Sequence, residues 1–125
     1  MGNVIFMSDR TSNDESRSLS VRDRRFCIRY PFAADVVVLN LETGSRTDGV
    51  TCDLSLGGIF VCTSKPLASN TRVRVTLTKK DQKLEALGMV RIVKPRIGMG
   101  IEFLDLEPPH HGLLCRWIEQ LSKVR

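Results

Sequence analysis

Short apolar, β-branched or alternating runs recur between residues 33 and 104. The clearest run is Thr71–Thr78. There Val73, Val75 and Leu77 fall on one side, and Arg72, Arg74, Thr76 and Thr78 on the other. A period of two sends successive side chains to opposite faces of a sheet, so this run predicts a half-buried strand. Ala33–Leu41, Gly49–Leu54, Ile59–Thr63, Leu84–Val93 and Met99–Leu104 complete a set of six predicted strands. Polar or Gly/Pro-bearing breaks separate them: Glu42–Ser45, Leu56-Gly57-Gly58, Pro66–Asn70, Lys79–Gln82 and Pro95–Gly98. Gly88 predicts a bend inside the fifth strand. After Pro108-Pro109 the period changes. Leu114, Trp117, Ile118 and Leu121 fall at i, i+3, i+4 and i+7, the apolar stripe of a helix.

Six strands with short turns and one terminal helix predict an all-β domain with a C-terminal helix. The expected form is a closed or nearly closed six-stranded antiparallel barrel, capped by the helix across an open end or face. Closure also removes exposed sheet edges. Residues 1–21 are rich in Ser, Asn, Asp and Arg without a sustained period, and are assigned to a flexible tail. Residues 22–125 form the expected domain. At 125 residues, 42% hydrophobic and 26% charged, the chain reads as one soluble globular unit. Its apolar runs, such as Val36–Leu39, fall far short of the about 20 residues a membrane helix needs. The patch Val4–Met7 lacks a basic flank, which argues against a signal peptide, and Phe6 breaks the myristoylation pattern. The expectation is a cytoplasmic protein that does not insert into membranes.

Charge sharpens this picture because it is uneven. The net charge is +5. Residues 17–29 carry Arg17, Arg22, Arg24, Arg25 and Arg29 against Asp23 alone, a local +4. Arginine without lysine suits phosphate or a guanine edge, because the guanidinium is a flat fork of donors. Cys27, Cys52, Cys62 and Cys115 form no C-x-x-C pair, and the two strand cysteines are expected to pack as reduced, small apolar residues. Enzyme signatures are missing. Asp53–Gly57 lacks the first glycine of a nucleophile elbow, and Phe103 stands where a dinucleotide fingerprint needs its third glycine. Adjacent His110 and His111 point in different directions on a helix and make no metal pair. No enzyme activity, metal or cofactor is expected.

Two clusters remain. The first is Arg24-Arg25-Phe26-Cys27-Ile28-Arg29, immediately before the first strand. Extended, Arg25 and Arg29 share a face about 13 Å apart; helical, they sit one turn apart and converge on one anion. The second is Asp53-Leu54-Ser55-Leu56-Gly57-Gly58 at a strand end. Asp53 can accept from base N–H groups, Ser55 can donate or accept, and Gly58 leaves the backbone open to a flat ring. Leu54 and Leu56 alternate with them and are expected to face inward.

Together, in this order and ahead of a barrel, the clusters resemble the PilZ domain family of bacterial cyclic di-GMP receptors. The resemblance covers about residues 22–121. Arg25 and Arg29 match the family's R-x-x-x-R, and Asp53, Ser55 and Gly58 match its [D/N]-x-S-x-x-G. Gly100-Ile101-Glu102-Phe103 is similar to its late strand. The resemblance implies a six-stranded barrel with a C-terminal helix. It also implies cyclic di-GMP as ligand: Arg25 and Arg29 on phosphates and guanine edges or faces, Asp53 and Ser55 on a guanine, Gly58 keeping the strand end open. Arg24 matches an extra arginine associated with a stacked ligand pair. The expected output is a switch in which the arginine segment orders on binding and presents a surface to a downstream protein effector. Two rival readings are a PilZ-like protein-interaction domain without nucleotide, and a small basic barrel binding single-stranded nucleic acid. The second is disfavoured, because Phe60, Phe103 and Trp117 are better placed in the core than on an exposed platform.

Overall fold

The structure, a computed structural model, describes residues 28–124. Its strands are β1 (Tyr30–Pro31), β2 (Asp35–Asn40), β3 (Arg46–Leu54), β4 (Gly58–Cys62), β5 (Arg72–Lys79), β6 (Gln82–Lys94) and β7 (Gly98–Asp105). One helix follows, α1 (Pro108–Val124). Every strand pairing is antiparallel. Around the ring the order is β3, β2, β5, β6, β7, β4, and β4 returns to pair with β3. The predicted six-stranded barrel is therefore closed.

The strand absent from the sequence-based expectation is β1. It pairs with the same strand as β2 does, Tyr30 opposite Leu54 and Pro31 opposite Asp53. Between β1 and β2 two backbone bonds to β3 persist, from Phe32 N–H to the Cys52 carbonyl at 3.3 Å and from Thr51 N–H to the Ala34 carbonyl at 2.9 Å, and a side chain adds to them. Thr51 Oγ1 accepts from the Ala34 N–H at 3.0 Å and donates to the Phe32 carbonyl at 2.8 Å. Thr51 is 2% exposed, so these partners are not interchangeable with water. A threonine inside a strand gives no sign in sequence that it will bridge a break in its neighbour.

The alternation read from sequence holds at the core. Val73, Val75 and Leu77 are fully buried, with Val36 and Val38 from β2, Ile59 and Val61 from β4, and Leu84 and Val90 from β6. The bend expected at Gly88 appears as a register shift between Leu87 and Gly88. A Cβ there would come within 2.7 Å of the Ile101 side chain and 2.8 Å of the Glu102 carbonyl. Only glycine permits that approach.

Helix α1 begins on Pro108 itself, where the missing N–H costs nothing. Leu113, Leu114, Trp117 and Ile118 are buried and belong to the same core as the barrel. The Trp117 ring lies 5.2 Å from Phe32, and its Nε1–H donates to Gln82 Oε1 at 3.0 Å.

Two expectations need correction. Cys52 and Cys62 do not pack inside; both are exposed. The inward positions near them belong to Thr51 and Leu54 on β3 and to Ile59 and Val61 on β4, so parity turns both thiols outward. For the same reason Phe60 is a half-buried residue of the outer face, outside the core cluster. Phe103 is partly buried against that cluster and Trp117 lies within it.

Thr51→Val tests the side-chain bridge. It leaves the Ala34 N–H and the Phe32 carbonyl unpartnered, and is expected to lower unfolding free energy by about 1–3 kcal/mol in urea titrations.

Candidate functional site

The site begins with a misfit. Along the β3–β4 pair the register shifts between Thr51 and Asp53, leaving Cys52 without an opposite residue and placing Asp53 across from Phe60. Such a bulge re-aims the side chains beside it. Here the Asp53 carboxylate folds back onto the partner strand, and Oδ1 accepts the Phe60 N–H at 3.0 Å. The carboxylate is thus held by backbone.

The same oxygen meets the arginine segment. Arg29 Nη1 donates to Asp53 Oδ1 at 2.7 Å. The two residues are 24 positions apart in sequence, and β1 brings them together by laying Pro31 against Asp53. Their side chains are 47% and 24% exposed. An ion pair this wet contributes on the order of 1 kcal/mol or less. Its importance is positional, and both groups are available to a competing ligand. Arg24 and Arg25 lie outside the described residues.

Ser55 and Gly58 shape the turn that carries the carboxylate. Ser55 is 2% exposed. Its hydroxyl accepts the Gly57 and Gly58 N–H groups, each at 3.1 Å, and donates to the Gly58 carbonyl at 3.3 Å. The Ser55 N–H donates to that carbonyl at 2.9 Å, and the Gly57 carbonyl accepts from Phe103 at 2.8 Å. The hydroxyl is therefore spent inside the turn. Gly58 has an internal reason as well: a Cβ there would collide with the Ile101 carbonyl of β7. Leu54 is fully buried, as expected, and Leu56 packs partly buried against the core.

Beside Asp53 lies a feature missed in the sequence. The Phe60 ring covers Gly98, whose Cβ would fall 2.6 Å from it, and Gly100 lies between Phe60 and Ile92. Lys94 Nζ sits 5.6 Å from the Phe60 ring centroid. The outer wall next to the carboxylate is thus flat, partly aromatic and flanked by a cation. The spacing Gly98-Met99-Gly100 opposite Phe60 was its available signal, and it becomes visible only once β4 and β7 are paired.

A large cavity lies elsewhere. It encloses about 860 Å³ between β1, the β5–β6 turn and α1, against Phe32, Lys79, Trp117 and Leu121. Of the described site residues Arg29, Asp53, Ser55 and Gly58 it contains none, and its walls are the edge of the core. Among the described residues no cluster of three or more His, Cys, Asp or Glu is arranged to hold a metal. His110 Nδ1 accepts the Glu85 N–H at 3.1 Å, while His111 faces Cys115 at 3.8 Å, so the two imidazoles do diverge.

A family model described as PilZ domain matches residues 23–120. Among solved structures, the PilZ domain of CeSA from a cellulose-synthesizing bacterium is 26% identical with a TM-score of 0.61, over 76% of this chain and 98% of that one. The inhibitor of motility MotI/DgrA of Bacillus subtilis is 20% identical with a TM-score of 0.64. The match covers 78% of this chain and 52% of that one, about half its length. The PilZ domain of YcgR from Escherichia coli, solved with c-di-GMP, is 19% identical with a TM-score of 0.62, over 77% and 89% of the two chains. The last two show a shared fold. No curated protein matches.

Replacing Ser55 by Ala tests the turn. A part-buried N–H group and a buried one lose their acceptor, so amide exchange at Gly57 and Gly58 is expected to accelerate by about tenfold or more, while exchange in β5 stays unchanged.

Proposed function

The chain belongs to the PilZ domain family, and from that premise we propose that it is a cytoplasmic bacterial receptor for cyclic di-GMP, not an enzyme. The observation that carries the reading is the 2.7 Å contact between Arg29 and Asp53. It joins the root of the arginine segment to the ledge Asp53–Gly58, two clusters that sequence could only set side by side.

The chemistry follows from the groups at hand. Cyclic di-GMP presents two phosphates and two guanines. Asp53 is acceptor-only when ionised, and a guanine Watson–Crick edge offers N–H donors. Oδ1 stays anchored by Phe60 while its bond to Arg29 is exchanged. Arg29, released, turns its fork to a phosphate or to guanine O6 and N7, where Arg25 and Arg24 join it. Ser55 and Gly58 act by holding the turn that positions the carboxylate. The Phe60–Gly98–Gly100 wall and Lys94 border the place where a base would lie.

Magnitudes permit this. Micromolar binding needs about −8 kcal/mol. Hydrogen bonds to charged groups contribute about 1.5–3 kcal/mol each. Arg25 and Arg29, each bidentate, supply with Asp53 about five such bonds, roughly 8–15 kcal/mol before the cost of ordering the segment is subtracted. Neutralising a segment of local charge +4 changes the surface beside the ledge, and that altered surface is the output offered to a protein effector.

Calorimetric titration with cyclic di-GMP tests the reading. Arg25→Ala, Arg29→Ala and Asp53→Ala are each expected to weaken binding by at least about tenfold, with the thermal transition of the barrel retained. Undiminished affinity in the two arginine variants overturns it. GMP and cyclic GMP are expected to bind far more weakly. Amide exchange over residues 17–31 is expected to slow when cyclic di-GMP is added, and equal exchange with and without it removes the proposed switch.

A further inference from the structure

The bulge that sets Asp53 also sets two thiols side by side. Cys62 lies opposite Val50, and Cys52 is the unpaired residue two positions further along β3. Both side chains point outward and both are exposed. The Cys52 and Cys62 thiols are in hydrogen-bonding contact, and the bulge adds freedom to the Cys52 backbone. The residues enclosed between them, 53–61, include the whole ledge Asp53–Gly58.

From this placement we infer that Cys52 and Cys62 form a reversible cross-strand disulfide whose closure reshapes the ledge. Partial shielding by neighbouring atoms, the adjacent Cys62 thiol and the nearby Asp53 charge raise the Cys52 thiol to about 11. With hydrogen peroxide as oxidant, one thiolate of the pair displaces hydroxide from the O–O bond and becomes a sulfenic acid. The other sulfur then attacks that sulfur, an S–S bond forms, and the oxygen leaves as water. Two thiols and one peroxide give one disulfide and two waters. The sulfurs supply the two electrons, and a dithiol reductant reverses the step.

The geometry also says what the bond does. Cys52 precedes Asp53 directly, and Phe60, which holds Asp53 Oδ1, is two residues from Cys62. Pulling the unpaired Cys52 across to β4 alters the bulge, and with it the aim of the carboxylate. Exposed disulfides under strain have the more oxidising potentials typical of labile, regulatory bonds. The pairing stands apart from the nucleotide reading; only its consequence for affinity rests on that reading.

The full chain, reduced and then treated with hydrogen peroxide, provides the test. After the remaining thiols are alkylated and the protein digested, mass spectrometry is expected to find Cys52 joined to Cys62. Amide resonances of Asp53 and Phe60 are expected to shift on oxidation and return with dithiothreitol. Cys52→Ser and Cys62→Ser are expected to abolish both changes while leaving the reduced spectrum otherwise intact. Affinity for cyclic di-GMP is expected to fall at least about fivefold in the oxidised wild type. Bonds formed instead through Cys27 or Cys115, overoxidation without a crosslink, or a crosslink that leaves the Asp53 and Phe60 amides unmoved each overturn the inference. If the reduced chain fails to bind cyclic di-GMP, the receptor reading falls, and the crosslink and amide readouts still decide the disulfide.

Discussion

The candidate site depends on one irregularity, the unpaired residue Cys52 in the β3–β4 ladder. In a perfectly registered pair, Asp53 would stand on the face its parity assigns. Water would compete for its oxygens, and it would have no fixed relation to the chain before β1. The bulge turns the carboxylate onto the Phe60 N–H, converting a flexible surface acid into one held by backbone. The bulge is possible because β3 is engaged along both of its edges. β1 and β2 hold one edge, with Thr51 bridging the gap between them, and β4 holds the other. A strand fixed from both sides can carry an unpaired residue without the sheet opening.

Residues that share a sequence motif therefore share little chemistry. Asp53 keeps an oxygen at the surface in reach of a cation. Ser55, two residues on, is sealed inside the turn with its hydrogen-bonding capacity used by Gly57 and Gly58. Gly58 is set by how closely β7 passes. One residue presents charge and the other two build its mount. That division explains why the spacing is rigid: changing the turn moves the carboxylate, because only four residues separate Asp53 from Gly58.

Much of this was legible from the sequence, for reasons that can be named. Period-two alternation marked Thr71–Thr78 because one face is dry and the other wet, and the helix after Pro108 was marked by a change of period. Closure was inferred from short turns and confirmed by the β3–β4 pairing. What escaped notice was everything decided by register. The two-residue β1 is too short to have a period. The outward turn of Cys52, Cys62 and Phe60 follows from which neighbours point inward, and small apolar or aromatic residues do not declare a side. The burial of Ser55 follows from the turn's own hydrogen bonds, whereas its residue type suggested a surface donor. Arg29 on Asp53 was an expectation of proximity only; the contact needed β1 to exist.

The Arg29–Asp53 pair has the properties of a placeholder. A buried pair of this geometry would be costly to break, since each charge left alone in a dry site loses several kcal/mol of solvation. Exposed as it is, the pair has little to lose, because water takes over at either group. A ligand that offers a phosphate to the arginine and a base edge to the carboxylate replaces one wet contact with two directed ones. The barrel contributes rigidity at Asp53 and none at the guanidinium, whose long side chain can turn without disturbing a strand. On the proposed receptor reading, selectivity would belong to the fixed partner and capture to the free one, a division that requires one end of the pair to be anchored by Phe60 and the other to remain on the chain's approach to β1.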